Sequence, residues 1–185
     1  MSISCTKRGN LGSTQVFFGR QNVADGANIG KIQFQSDDTI KINNKVGAST
    51  GFEATTNAVF RDVSAWYHIF VSFDGNQSTH NDRAQLYVNG VLQSWSGSGS
   101  LSAGNGHINL GLPHAVGYRA GDGGQYFDGY IAEMYFIDGN SSLSHTDFGE
   151  FDEDSGIWKP IEYTGSFSGT NTFYLDFENS GSLGA

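Results

Sequence analysis

A long run of apolar and aromatic residues between two glycine turns is the strongest structural signal in the chain. Residues 130–137 alternate as a strand does, so their side chains divide between two faces. One face carries Tyr130, Ala132, Met134 and Phe136, and the other carries Ile131, Glu133, Tyr135 and Ile137. Because both faces are largely apolar, we expect a central strand that lies between two layers. The flanking pairs Asp128-Gly129 and Asp138-Gly139 predict the tight turns that end it.

Shorter alternating segments predict the other strands. They span residues 2–7, 15–18, 31–35, 39–43, 51–60, 66–73, 83–91, 107–110 and 172–177. Residues 31–35 and 39–43 are separated by a short turn and predict a hairpin. Its inward side chains are expected to be Ile32, Phe34, Ile40 and Ile42. Asn89-Gly90 is the strongest short signal for a type I′ hairpin turn, because both turn positions need positive φ angles. So many short strands indicate a sandwich or jelly roll.

Four segments fall outside the strand pattern. Residues 8–13 form a turn-rich link, and residues 94–106 form a Ser- and Gly-rich loop whose one aromatic residue is Trp95. A second glycine-rich loop, residues 117–125, leads to the central strand. Long loops inside a compact domain are often functional. Residues 143–148 predict one helical turn, with Ser144 as the N-cap and Asp147 completing a capping box.

Composition favours an all-β fold. The 185 residues include 26 glycines and 14 phenylalanines but only 2 prolines and 2 methionines. This composition is typical of aromatic strands joined by glycine turns. All-β domains of this length are commonly single, so we expect residues 1–185 to form one domain. The expected fold class is an antiparallel β-sandwich with little helix.

Charge and apolar patterning argue against two kinds of partner. The net charge is -9 and the 10 Lys and Arg residues are scattered, whereas nucleic acid binding needs a basic face. No apolar run approaches a membrane span, and the first residues lack the layout of a signal peptide. The acidic balance suits a neutral or cationic ligand, or calcium. The single cysteine, Cys5, alternates with polar residues and is expected in the core.

Four short motifs follow one another along nearly the whole chain. They are Trp66-Tyr67-His68, Leu86-Tyr87-Val88-Asn89-Gly90, Phe127-Asp128-Gly129-Tyr130-Ile131-Ala132-Glu133 and Leu143-Ser144. In this order they resemble the laminin G-like, concanavalin A-like jelly-roll domains. Residues 7–13, 148–160 and 173–177 are similar, more narrowly, to the versions found in tail and fibre proteins of marine bacteriophages.

The resemblance implies two packed antiparallel sheets and a non-catalytic role in adhesion or glycan recognition. It also implies a place in a phage virion, or otherwise outside the cell, with a cell-surface glycan or other virion proteins as partners. Such fibre proteins usually assemble as trimers and carry further sequence around this module. We therefore expect a homo-oligomer and a segment of a longer protein. A purely structural virion domain and a glycoside hydrolase are the alternatives.

The acidic stretch at residues 150–154 is the candidate for hydrolase chemistry. Glu150, Asp152 and Asp154 alternate, and jelly-roll glucanases use a row of carboxylates on one strand face. Asp154 is shorter than the glutamate that occupies the third place in such a row, and Ser155-Gly156 ends the strand pattern. We therefore expect a solvated acidic loop and no catalytic residues.

Ligand-binding residues are expected in the two polar loops, where aromatic rings can stack on sugar faces. The candidates are Trp95, Tyr118, Asp122 and Tyr126. Calcium is a further alternative, because it accepts the loop oxygens of Asp74, Asn76, Asp122 and Asp128. The same residue types also cap turns, and their spacing here does not decide between the two roles. The histidines lack the spacing of a zinc site, and His68 is expected to be a hydrogen-bonded strand residue.

Overall fold

Two antiparallel six-stranded sheets form the computed structural model, which describes residues 2–21, 28–45, 51–79, 82–98, 108, 113–121 and 123–178. The strands are β1 (Ser2–Arg8), β2 (Gln15–Gln21), β3 (Ile29–Phe34), β4 (Ile40–Lys45), β5 (Phe52–Thr56), β6 (Tyr67–Phe73), β7 (Ala84–Val88), β8 (Val91–Leu92), β9 (Trp95–Ser98), β10 (Ala115–Val116), β11 (Gly129–Phe136), β12 (Gly149–Phe151), β13 (Trp158–Pro160) and β14 (Phe173–Leu175). The first sheet has the order β14-β11-β1-β6-β7-β8 and the second β10-β2-β3-β4-β5-β9, while β12 pairs with β13. The predicted all-β sandwich is confirmed.

The strand with the longest apolar run, β11, lies second from an edge of the first sheet and not at its centre. The strand β1 separates it from β6, pairing antiparallel with both. The expectation of a central strand was therefore wrong. Strand order depends on which distant segments pair, and the local apolar pattern of one strand does not encode that choice.

The expected two apolar faces of β11 are found in its C-terminal half. Met134 and Phe136 join the core between the sheets, whereas Tyr135 packs into a second cluster on the other side. Ile131, expected on the side of Tyr135, packs instead against the core between the sheets, where the neighbouring β1 shifts its register against β6. Tyr130, at the start of the strand, is 68% exposed. The last three residues of β11 are thus buried, whereas its earlier residues are exposed or only partly buried.

Side chains from both sheets fill the space between them. The inward residues predicted for the β3–β4 hairpin are confirmed, since Ile32, Phe34, Ile40 and Ile42 are each at most 1% exposed. Phe17 from β2 meets the ring of Phe34 edge-on, with the ring centroids 4.6 Å apart. The turn between β7 and β8 is also as predicted, with φ angles of 49° at Asn89 and 76° at Gly90.

A second aromatic cluster covers the outer face of the first sheet. Phe70 from β6 and Tyr135 from β11 pack there against Phe148 and Tyr163 from the C-terminal part of the chain. The chain enters this layer through a 3-10 turn, His145–Asp147, whose predicted capping box is confirmed. The Ser144 N–H donates to the Asp147 carboxylate at 2.7 Å. The C-terminal segment therefore adds a third layer to the sandwich.

Buried polar residues anchor the end of β1. Arg8, expected in a turn-rich link, is 1% exposed and ends the strand. Its Nη1 donates to the Asp38 carboxylate at 3.0 Å and to the Phe60 carbonyl at 2.9 Å, and its guanidinium lies 4.2 Å from the centroid of the Phe34 ring. The Asp38 carboxylate also accepts from Arg61 Nε at 3.0 Å. Burial would raise the pKa of Asp38, but hydrogen bonds from Arg61, the Gly12 N–H and Arg8 outweigh it and lower that pKa.

Several expectations were wrong or lie outside the described residues. Residues 95–98 form β9 and not a loop, since this edge strand pairs with β5. In the acidic region, where a loop was expected, Glu150 belongs to strand β12, whereas residues 152–154 lie in the turn between β12 and β13. Of the strand expected at 107–110 the structure describes Ile108 alone, which is buried in the core. The structure does not describe the side chain of Cys5, so its expected place in the core stays a prediction. Among the described residues there is no helix long and apolar enough to cross a membrane.

Candidate functional site

Two tyrosine rings lie against each other on the surface at the edge of the second sheet. Tyr118 and Tyr126 are nearly parallel, with ring centroids 5.9 Å apart and an interplanar angle of 25°. They are 39% and 67% exposed, respectively. We call these two residues the tyrosine pair. The loop holding them closes on itself, because the Phe127 N–H donates to the Gly117 carbonyl at 2.7 Å. The pair therefore offers aromatic surface to solvent from a closed loop.

Backbone and side-chain hydrogen bonds fasten this loop to the sheet. The Gly117 N–H donates to the Phe17 carbonyl at 2.8 Å, and the Val16 N–H donates to the Gln125 carbonyl at 3.0 Å. Lys31 Nζ, from β3, donates to Gln125 Oε1 at 3.0 Å and to Gln21 Oε1 at 3.2 Å. A loop held in this way loses little conformational freedom when a ligand binds.

A polar network joins Asp128, two positions after Tyr126, to the segment of residues 10–15. Asn10 Nδ2 donates to Asp128 Oδ2 at 2.5 Å, and Ser13 Oγ donates to Asn10 Oδ1 at 3.0 Å. Gln15 Nε2 donates to the same Asn10 Oδ1 at 2.6 Å, and its Oε1 accepts from the Asp128 N–H at 3.4 Å. Gln15 is buried, but the Asn10 amide and the Asp128 carboxylate are exposed and have the hydrogen-bonding capacity that sugar hydroxyls require.

The structure brings together two of the four predicted ligand-binding residues. Tyr118 and Tyr126 form the pair, and Asp122 lies outside the described residues. Trp95 belongs to β9, at the opposite edge of the second sheet from β10 and the tyrosine loop. Its half-buried ring packs against Phe52, with centroids 5.4 Å apart. Trp95 therefore covers the edge of the core and does not extend the surface of the pair.

Of the four predicted calcium ligands, Asp74 and Asn76 lie far from Asp128, and Asp122 lies outside the described residues. Asp74 follows the C-terminal end of β6 and Asp128 precedes the N-terminal end of β11, and these two strands run in the same direction because both pair antiparallel with β1. The two aspartates therefore lie at opposite ends of the first sheet. Asp74 caps its own turn, accepting from the Asn76 N–H at 3.0 Å and from Gln77 Nε2 at 2.6 Å. The described part of the chain holds no group of acidic, His or Cys residues suited to a metal ion.

Carboxylates of the acidic stretch are held by a salt bridge and a turn. Lys159 Nζ lies 3.1 Å from Glu150 and 3.3 Å from Asp152 across the β12–β13 hairpin. Asp152 Oδ1 accepts from the Ser155 N–H and Oγ, each at 2.9 Å. The Ser155 bonds, followed by Lys159, lower the pKa of Asp152 to about 2. A general acid in glycoside hydrolysis needs a raised pKa, so Asp152 is unsuited to that role.

His68 is a hydrogen-bonded strand residue, as predicted. Its side chain packs on the outer face of the first sheet, where Nδ1 accepts from Trp158 Nε1 at 2.9 Å. His145 stacks on the same indole, with ring centroids 5.5 Å apart. Burial, followed by the nearby His145, lowers the pKa of His68 to about 4. This neutral imidazole fastens β13 to the sheet.

Sequence reasoning missed the residues that position the tyrosine pair. Lys31 lies 94 positions from Gln125, so no local pattern connects them. The available signal was weak: a lysine on a strand whose other face is fully apolar, and a glutamine directly before Tyr126 in a glycine-rich loop. Only the pairing of β2 with β3 and with the loop brings these side chains into contact.

Comparison with known families agrees with the fold. The family described as the concanavalin A-like lectin/glucanases superfamily, in its laminin G form, matches residues 6–147. This match covers most of the chain, which therefore belongs to that superfamily. No curated protein and no solved structure matches. The fold and the family together define a carbohydrate-binding or structural β-sandwich module, and the superfamily's description includes both lectins and glucanases.

Proposed function

We propose that this domain is a non-catalytic glycan-binding module that serves adhesion. The observation that carries the proposal is the tyrosine pair, two nearly parallel rings exposed on a loop fastened to the second sheet. Aromatic rings bind the C–H faces of sugars, while nearby planar polar groups bind the hydroxyls. The network of Asn10 and Asp128 supplies such groups beside the pair. Membership of a superfamily that includes lectins supports the same function.

Binding without hydrolysis is favoured by the state of the acidic stretch. Lys159 bridges Glu150 and Asp152, and the Ser155 turn stabilises the charged form of Asp152. A retaining or inverting glycosidase needs one carboxyl group that stays protonated near neutral pH. Glu150 and Asp152 are therefore structural residues of the hairpin under this proposal.

We also propose a biological setting, supported only by the similarity to phage tail and fibre proteins expected from the sequence of residues 7–13, 148–160 and 173–177. The domain would belong to a virion, or otherwise act outside the cell, and would contact a cell-surface glycan or other virion proteins. Fibre proteins of this kind usually assemble as trimers, so we expect the full-length protein to form a homo-oligomer. Light scattering on the full-length protein should give the mass of a trimer, and a monomer there would remove this part of the proposal.

A glycan array with product analysis tests the function. The domain should bind a defined group of glycans and leave them intact. Replacing Glu150 or Asp152 by its amide should not change the bound set. Failure to bind any glycan would favour the structural alternative, a spacer within the virion. Cleavage of a bound glycan that either amide variant abolishes would establish the hydrolase alternative.

A further inference from the structure

The tyrosine pair is one end of a longer exposed strip. Residues 125–130 cross one end of the sandwich from the second sheet to the first. At the start of the crossing the Val16 N–H, in β2, donates to the Gln125 carbonyl at 3.0 Å. At its end the Gly9 N–H donates to the Asp128 carbonyl at 2.7 Å, and Tyr130 lies opposite Lys7 of β1. The crossing segment therefore connects strand β2 of the second sheet to strand β1 of the first.

Alternate residues of this segment point away from the core. Tyr126 and Tyr130 are 67% and 68% exposed, and Asp128 between them is also exposed. Phe127 and Ile131, by contrast, pack against the core between the sheets. In an extended chain alternate side chains share one side, and four residues advance by about 13 Å. Tyr126 and Tyr130 are therefore both exposed, and an extended segment of this length spans more than one sugar ring.

A second aromatic pair stands at the far end of the strip. Trp66, which directly precedes β6, has its ring centroid 6.4 Å from that of Tyr130, at an interplanar angle of 49°. Trp66 is 44% exposed, so this pair also offers aromatic surface to solvent. The hydrogen-bonded groups of Asn10 and Asp128 lie between the two pairs. Rings at both ends with polar groups in the middle match a ligand that alternates C–H faces and hydroxyls along its length.

We propose that the binding site extends from Tyr118 to Trp66 and takes an extended oligosaccharide chain and not a single terminal sugar. This inference rests on the proposed glycan-binding function. One sugar unit stacks on the tyrosine pair, another stacks on Trp66 and Tyr130, and the units between them bond to Asn10 and Asp128. Isolated exposed aromatic residues are common on protein surfaces. Here four of them form two pairs joined by one extended segment and one polar network.

Chain-length dependence of binding tests this proposal. The probes are mono- to hexasaccharides of the glycan class that the array selects, titrated calorimetrically into the wild-type domain. Affinity should rise with length until both pairs are covered. Trp66→Ala and Tyr130→Ala should each weaken hexasaccharide binding about tenfold, because one stacking contact is lost. Both variants should leave disaccharide binding at the tyrosine pair unchanged. Phe151→Ala, which removes another exposed ring on β12, is the matched control and should change neither affinity.

Tryptophan fluorescence gives a second readout. Trp66 is the one described tryptophan on the strip, since Trp95 packs on the core edge and Trp158 against His68. A bound hexasaccharide should protect Trp66 from quenching by acrylamide, and a disaccharide should not. The protection should disappear in Trp66→Phe. Circular dichroism of each variant establishes that the sandwich is intact.

The outcomes separate this inference from the proposed function. Equal affinities for di- and hexasaccharide, or full hexasaccharide affinity in both Trp66→Ala and Tyr130→Ala, would overturn the extended site while leaving glycan binding in place. Binding of a protein partner through Trp66 and Tyr130, with no glycan effect, would also overturn it. A wild-type domain that binds no glycan would overturn the proposed function and this inference together.

Discussion

Arg8 and Asp38 form an ion pair in which both side chains are almost fully buried, at 0% and 8% exposure. Breaking a buried pair from one side strands the remaining group, whereas an exposed pair contributes little. The same carboxylate also binds Arg61, whose side chain is 60% exposed. One acid thus has a buried and an exposed partner, which allows a matched comparison within a single protein.

We expect Arg8→Met to lower the free energy of unfolding by about 3 kcal/mol, because it leaves Asp38 and the Phe60 carbonyl without their buried donor. Arg61→Met should cost less than about 1 kcal/mol. Urea denaturation measures both values. Equal effects of the two substitutions would show that burial does not set the strength of this ion pair.

His68 should make stability depend on pH. Its pKa falls from 6.5 to about 4 in the folded state, so the folded protein keeps it neutral while the unfolded chain takes up a proton. The contribution of neutral His68 to the free energy of unfolding is complete above pH 6.5. It declines as the pH falls toward 4, by about 3 kcal/mol in total. His145, whose pKa burial also lowers, acts in the same direction.

His68→Asn keeps a hydrogen-bond acceptor for Trp158 but does not titrate. Denaturation at a series of pH values should therefore show a smaller slope between pH 6.5 and 4 than the wild type shows. Carboxylates such as Asp38, whose pKa is lowered from 3.8, lose their contribution below this window. A wild-type slope retained in His68→Asn would contradict the assignment.

The conformation of a single residue could be predicted from the sequence where its immediate neighbours determine it, and not where distant residues do. Asn89-Gly90 could be assigned to a type I′ turn because the two residues themselves carry the positive φ angles. Arg8 could not be assigned to the core, because its burial depends on Asp38 and Phe60, which lie 30 and 52 positions away.

At the scale of elements, Trp158 connects the β12–β13 hairpin to the first sheet. The indole donates to His68, lies beside His145, and leaves no room for a side chain at Gly90 or Gly149. Phe151, on the other strand of the hairpin, meets this ring in a T-shaped arrangement and is 51% exposed. The packing of the hairpin on the sheet should therefore depend on Trp158 and not on Phe151.

Trp158→Ala should lower the free energy of unfolding by about 3 kcal/mol, through the lost contacts and the cavity left behind. Phe151→Ala should cost less than about 1 kcal/mol, since its ring is already half in solvent. Chemical denaturation of the two variants measures the difference. A small effect of Trp158→Ala would mean that the hairpin docks through other residues.

Elements with their own sequence signals were predicted, and those defined by a partner were not. The β3–β4 hairpin has clean alternation, and the capping box lies within four residues, Ser144 to Asp147. The strand β9 has the Ser- and Gly-rich composition of a loop and becomes a strand because β5 offers a free edge. The strands β12 and β13 are likewise short, at three residues each, and the hydrogen bond from Trp158 to His68 fastens them to the first sheet.

Across the whole molecule, the candidate site is made of segments that only the fold brings together. Tyr118 and Tyr126 could be proposed from their glycine-rich loop, and they do form one surface. Trp95 was proposed on the same ground but lies at the opposite edge of the second sheet. The calcium ligands were also chosen by residue type alone. Two of them, Asp74 and Asp128, lie at opposite ends of the first sheet.

Removing calcium should therefore leave glycan binding unchanged. Asp74 and Asn76 form a capped turn at one end of the first sheet, and Asp128 bonds to Asn10 at the other end. A titration with and without EDTA measures the effect. Loss of affinity in EDTA, restored by added calcium, would show that a calcium ion contributes to the site.

The central claim is that the tyrosine pair binds sugar. Isothermal titration of a glycan selected on the array into wild type, Tyr118→Ala, Tyr126→Ala and the control Phe151→Ala tests it most directly. Losing one stacking contact of about 1–2 kcal/mol should weaken binding about tenfold in each tyrosine variant. The control should bind as the wild type does. Unchanged affinity in both tyrosine variants, with the fold intact by circular dichroism, would contradict the claim and place the site elsewhere.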